Sequence, residues 1–151
     1  MKTKTDLLIE MLIEARSRFT KLLPSLTESD LVKKLPPAAN SVGFLIRHIG
    51  DVELLFTKNV FGLGELKVHA QTVIDQRDTG VWTELDELLA HQKFAFEKLL
   101  EIVATQTDED WEEIIETKEF GRKTKAEALS RILSHTSYHA GQMALILKYA
   151  V

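Results

Sequence analysis

Two histidines four residues apart, His135 and His139, are the residues whose types and spacing speak most directly to chemistry. On a helix that spacing sets both imidazoles on one face, about one turn apart, where they can reach a single ion. They lie in the stripe Ala128, Ile132, His135, His139, Gln142 and Ile146, so the pair is expected to face the interior. A third ring, His48, holds the corresponding place in Ser41, Phe44, Leu45, His48, Val52 and Leu55. Three protonatable rings buried without partners are costly, and a divalent ion is a standard way to satisfy neutral imidazoles. An H-x-x-x-H pair also arises by chance, and a hydrogen-bonded cluster of core histidines is the competing reading.

Three histidine ligands would leave a coordination position open, the pattern of a catalytic zinc centre more than of a closed structural one. Such a centre can lower the pKa of a water, polarise a substrate oxygen, or activate a thiolate from a second molecule. The ligands alone do not choose between these. Nor do they choose the ion, because histidine-only sites accept Zn, Ni, Co, Fe or Cu; zinc and nickel lead the candidates. Around the rings, Asp51 is a candidate fourth ligand or acid–base group, or else a solvated or helix-pairing carboxylate. Gln142 could orient a water or a ring N–H, or equally be a buried amide satisfied by backbone, and Tyr138, a candidate proton donor, reads more readily as a packing or interface residue. His91 and His69 are assigned to the surface, and Trp82, Phe94 and Phe96 to the core or a pocket wall.

Four amphipathic helices are available to position these groups. Leu7, Leu8, Met11, Leu12, Ala15, Phe19 and Leu22 mark the first, from about Thr5 to Pro24. Thr27 and Asp30 suggest a capped short turn before Pro36-Pro37. The second helix starts from Asn40 or Ser41, carries His48 and ends near Gly62. A crossover of irregular pattern continues to about Trp82, long enough to let the second and third helices run parallel. Thr83 with Asp86 opens the third helix, which ends near Gln106. Residues 108–125 include an Ile114-Ile115-Glu116-Thr117 run that reads as a short extended piece, and Thr124 with Glu127 caps a last helix reaching about Ala150. The expectation is an all-α, four-helix bundle forming one domain over residues 1–151.

Composition sets the outer limits. A chain of 151 residues, 44% hydrophobic and 28% charged, suits one core without a disordered or fibrous tract. Its net charge of -4 and pI near 5.7 argue against a nucleic-acid partner, since no segment is rich in Lys and Arg. The absence of cysteine excludes disulfides, a thiolate metal site and a cysteine nucleophile. Residues 1–10 become charged too soon for a signal peptide or membrane span, so a cytoplasmic protein without a membrane partner is expected.

The segments Ser41-Val42-Gly43-Phe44-Leu45-Ile46-Arg47-His48-Ile49 and Ser134-His135-Thr136-Ser137-Tyr138-His139-Ala140-Gly141-Gln142-Met143 resemble the two signatures of the DinB-like family. The resemblance covers essentially the whole chain. It implies a bundle of up-down-down-up order in which His48, His135 and His139 hold a divalent metal, and the Gly141-Gln142 step after the last ligand is similar to the family's ending. Members are associated with metal-dependent transfer of low-molecular-weight thiols, with related isomerisations and with hydrolysis. The activity implied by the resemblance is that of a metal-dependent transferase presenting a thiol cosubstrate to a small electrophile; the alternatives are a hydrolase and a non-catalytic metal-binding or stress-response protein. The resemblance also implies a homodimer, for which Phe94 and Val60 are apolar residues beyond the core stripes.

Overall fold

The computed structural model describes residues 1–151, and four long helices carry it: α1 (Lys4–Thr20), α3 (Val42–Asn59), α5 (Leu85–Val103) and α6 (Lys125–Tyr149). Between them lie two short helices, α2 (Glu28–Leu31) and α4 (Gln71–Asp75), and a hairpin of β1 (Ile114–Thr117) and β2 (Gly121–Thr124). The protein is mostly helical. The hairpin departs from the all-α expectation: β1 is the anticipated extended run, and it pairs antiparallel with β2 in the register Ile114 to Thr124. Gly121, at φ +71, takes a left-handed conformation where the second strand begins.

Local sequence explains most boundaries. Thr124 accepts from the Glu127 N–H while Glu127 accepts from the Thr124 N–H, the reciprocal cap expected for α6; at α2 the Asp30 carboxylate accepts from the Thr27 N–H and hydroxyl. Ser41 caps α3 by accepting from the Phe44 N–H. Two ends differ from expectation. The first helix stops at Thr20 and gives way to a 3-10 turn at Leu23–Ser25, because Pro24 supplies no N–H to continue the ladder. The third begins at Leu85 behind Glu84, not behind Thr83.

Helix α3 packs chiefly on α5 and also on α6, while α1 lies along α6. The apolar interior falls into two clusters. One contains Phe19, Leu31, Leu45, Ile49, Leu88 and Met143; the other contains Leu12, Phe56, Leu99, Trp111, Leu129 and Ile132. Along each long helix a polar residue stands at or next to the boundary between them: Arg16 on α1, Asp51 and Glu53 on α3, Gln92 on α5, His135 and His139 on α6. Arg16 and Glu53 are almost fully buried, with the guanidinium donating to the carboxylate at 2.9–3.3 Å and to the Gln92 side-chain and backbone oxygens at 3.0 and 3.1 Å. No helix is long and apolar enough to cross a membrane. Val60 packs into the second cluster and is 4% exposed, which corrects its assignment outside the core; Phe94, assigned to the core or a pocket wall, is instead 44% exposed.

Candidate metal centre

The structure brings His48 from α3 together with His135 and His139 from α6. One ring nitrogen of each lies within 4.8 Å of the others, and the ring centroids are 4.4–5.1 Å apart. The Nε2 atoms of His48 and His135 stand 3.1 Å apart. Two nitrogens held by one tetrahedral zinc would be separated by about 3.3 Å, so this pair already has the spacing of shared ligation. Phe44, one turn before His48, stacks on its ring at 5.5 Å with an interplanar angle of 10°.

Hydrogen bonding dictates which nitrogens are free. The Thr72 hydroxyl has one proton, and it goes to the Asp51 carboxylate, which can only accept, at 2.7 Å. The contact of 3.0 Å between that hydroxyl and His48 Nδ1 must therefore be donated by the ring. His48 is held as the Nδ1–H tautomer with a bare Nε2. His139 is treated alike: its Nδ1 donates to the Gln142 side-chain oxygen at 2.6 Å, leaving Nε2 with a lone pair. His135 has a buried Nδ1 without any partner. Two rings pre-set to offer Nε2, beside a third whose Nε2 stands 3.1 Å from that of His48, form a donor set that fits a divalent ion.

Electrostatics point the same way. Burial first, then the neighbouring His139, push the His48 pKa down to about 4. For His135, burial and the two neighbouring rings push it down to about 3. Burial also lowers His139, partly countered by the bond to Gln142. The rings stay neutral at pH 7, the state in which imidazole binds a metal.

Asp51 lies behind His48. Burial works to raise its carboxyl, but His91, the Thr72 hydroxyl and N–H, and Arg47 together hold it below the usual carboxylate range. Arg47 Nε donates to Oδ1 at 2.8 Å, and Thr72 supplies both its hydroxyl and its N–H to Oδ2. The carboxylate thus reaches the histidines through Thr72. Tyr138 is exposed, its ring edge-on to His139 at 5.2 Å. His91 is not a surface residue: its Nε2 lies 3.0 Å from Asp51 Oδ1, off the line of a good hydrogen bond, and its ring packs against Gly50, where a Cβ would come within 2.7 Å of it. His69 is exposed and stands apart, although its carbonyl accepts from Arg47 at 3.1 Å. Sequence reasoning missed Thr72, Arg47 and the role of His91. The step from His48 to Asp51, and a threonine inside an otherwise aperiodic crossover, gave only a faint signal.

The same residues bear on how the chain compares with known proteins. A profile of the DinB superfamily matches residues 11–143. The chain belongs to the DinB superfamily. Among solved structures, this DinB chain is similar to the crystal structure of a histidine-to-alanine mutant of the mycothiol-dependent maleylpyruvate isomerase, with a TM-score of 0.72 at 14% identity. The superposition covers 100% of this chain and 65% of the isomerase chain, a likeness of fold. No curated protein sequence matches.

Proposed function

We propose that this DinB protein binds a divalent metal, zinc or nickel, through His48, His135 and His139 and is a transferase acting on a low-molecular-weight thiol and a small electrophile. The observation that carries the proposal is the convergence of the three rings with the His48 and His139 tautomers fixed so that Nε2 is free. The chemistry such an ion supplies is a lowered pKa for a coordinated thiol and polarisation of a substrate oxygen. The chain's own residues do the rest: the histidines bind, Thr72 and Gln142 orient them, and Phe44 shields one face of His48. The thiol must come from a second molecule because the chain has no cysteine. A relative whose name describes it as mycothiol-dependent supports a thiol over water as the activated group. The same reading takes the protein as a homodimer, supported by exposed Phe94, Leu7 and Met11.

Elemental analysis of the purified protein, beside a screen joining low-molecular-weight thiols to 1-chloro-2,4-dinitrobenzene, tests the proposal. Close to one ion per chain is expected, together with conjugation that stops on chelation and returns with metal. His48→Ala, His135→Ala and His139→Ala should each lose metal and activity together, while His69→Ala keeps both. Unchanged metal content in all three variants would overturn the site, and conjugation insensitive to chelation would overturn the mechanism.

A further inference from the structure

One turn from the histidines, residues of α3, α6 and the segment before α3 line a cavity of about 170 Å³. Its aliphatic wall comes from Leu35, Leu45 and Ile146, with Ala38 exposed at the mouth. Its polar side chains are two neutral amides, Asn40 and Gln142, and no charged side chain lines it. Leu45 precedes His48 by three residues and Gln142 comes three after His139, so both helices carry the cavity wall directly on from the ligand positions. Gln142 is common to both: its oxygen is held by His139, and its amide nitrogen has no partner within the chain.

We infer that this cavity is the electrophile subsite, and that it takes a small uncharged molecule with an apolar body of about six carbons and one hydrogen-bond-accepting oxygen aimed at the Gln142 amide. The volume sets the body, since a cavity of roughly 150 Å³ accommodates benzene. The lining sets the charge, because an ion entering it would shed water without gaining a counter-charge from the wall. Gln142 sets the polar group: with its oxygen committed to His139, the atom it has left to meet a ligand is a donor. The inference rests on the proposed metal-dependent reading for its chemistry, but the cavity itself is formed by the protein chain alone.

Titration of the zinc-loaded and the metal-free protein with cyclohexanone, monitored through the side-chain amide resonances of Asn40 and Gln142, tests it. Saturable shifts of both amides are expected at millimolar ligand, with sodium maleate leaving them in place. Ala38→Phe should weaken cyclohexanone at least tenfold while zinc content stays at the wild-type level; should that variant misfold, Leu35→Trp fills the same space. Absence of saturable shifts, shifts that survive the filled cavity, or maleate binding there as tightly as the ketone would each overturn the inference. Failure of the metal reading is seen separately: zinc content would then be near zero while the ketone still shifts the two amides of the metal-free protein.

Discussion

Replacing Thr72 with valine keeps the shape of the side chain and removes the single hydroxyl that joins His48 to Asp51. In the native structure that oxygen accepts from His48 Nδ1 at 3.0 Å and donates to Asp51 Oδ2 at 2.7 Å. Asp51 retains Arg47 and the Thr72 N–H, so the carboxylate remains partnered and the principal loss falls on the ring. One hydrogen bond of this kind contributes about 0.5–1.5 kcal/mol, and removing groups that orient a metal ligand reduces affinity by about 10–100-fold. Taken together these give a loss of about tenfold, or about 1.4 kcal/mol, in metal affinity for Thr72→Val. Competition against a chromophoric chelator, read with cobalt as well as zinc, measures it. Thr72→Ser should restore most of the loss, which a merely structural role for the methyl group would not allow. An affinity for Thr72→Val within twofold of wild type would falsify the claim that Asp51 acts on His48 through this hydroxyl.

Acid should destabilise the metal-free protein over a defined window. The folded pKa values of His48 and His135, about 4 and about 3, lie below the ordinary value of 6.5. The unfolded chain therefore takes up protons that the folded rings refuse, and the stability present above pH 6.5 is lost as pH falls toward those values. Urea midpoints measured between pH 7.5 and 4 should fall steadily; a flat profile would contradict the neutral rings. Arg16→Met should lower stability by about 3–5 kcal/mol because it strands a buried Glu53, and adding Glu53→Leu should recover most of the loss in the same denaturation experiment. Gly43→Ala should lower the melting temperature, since a Cβ there would stand 1.9 Å from the Trp82 carbonyl oxygen, and overpacking of this kind costs about 1–3 kcal/mol or more. A melting temperature unchanged from wild type would refute that close approach.

The sequence made the long helices and the three histidines legible for the same reason. Apolar residues at three- and four-residue steps mark a buried face, and His48, His135 and His139 sit on such faces, so their approach results once α3 and α6 are packed. The surroundings were harder to read. Thr72 lies on a helix of five residues, too short to show a period, which ends at Gln76 in a left-handed conformation. His91 lies at the flank of its stripe, and its approach to Asp51 depends on Gly50 leaving room, a property of the packed pair of helices that neither helix shows alone. Arg16 and Glu53 are 37 residues apart, and each by itself reads as a solvated charge. The apolar cavity beside Gln142 required the path of the Pro36-Pro37 segment, which no periodicity specifies.

The connection between α3 and α5 has a consequence for anyone who would cut, tag or permute the chain. Long connections are ordinarily the places that accept insertions. This one is fastened along its second half: Thr72 to the histidine cluster, Asp78 to the Ser41 N–H at 2.8 Å, and the Trp82 carbonyl against Gly43. Its first half is tied at its start, where Val60 and Phe61 are buried and the Leu63 N–H donates to the Thr57 carbonyl at 3.1 Å, but beyond the turn at Leu63–Leu66 the fastening is lighter, and both Gly62 and Gly64 face open space. New termini or a fluorescent label belong at Gly64 or Glu65; the same graft near Thr72 or Asp78 would loosen the start of α3 and the support behind His48.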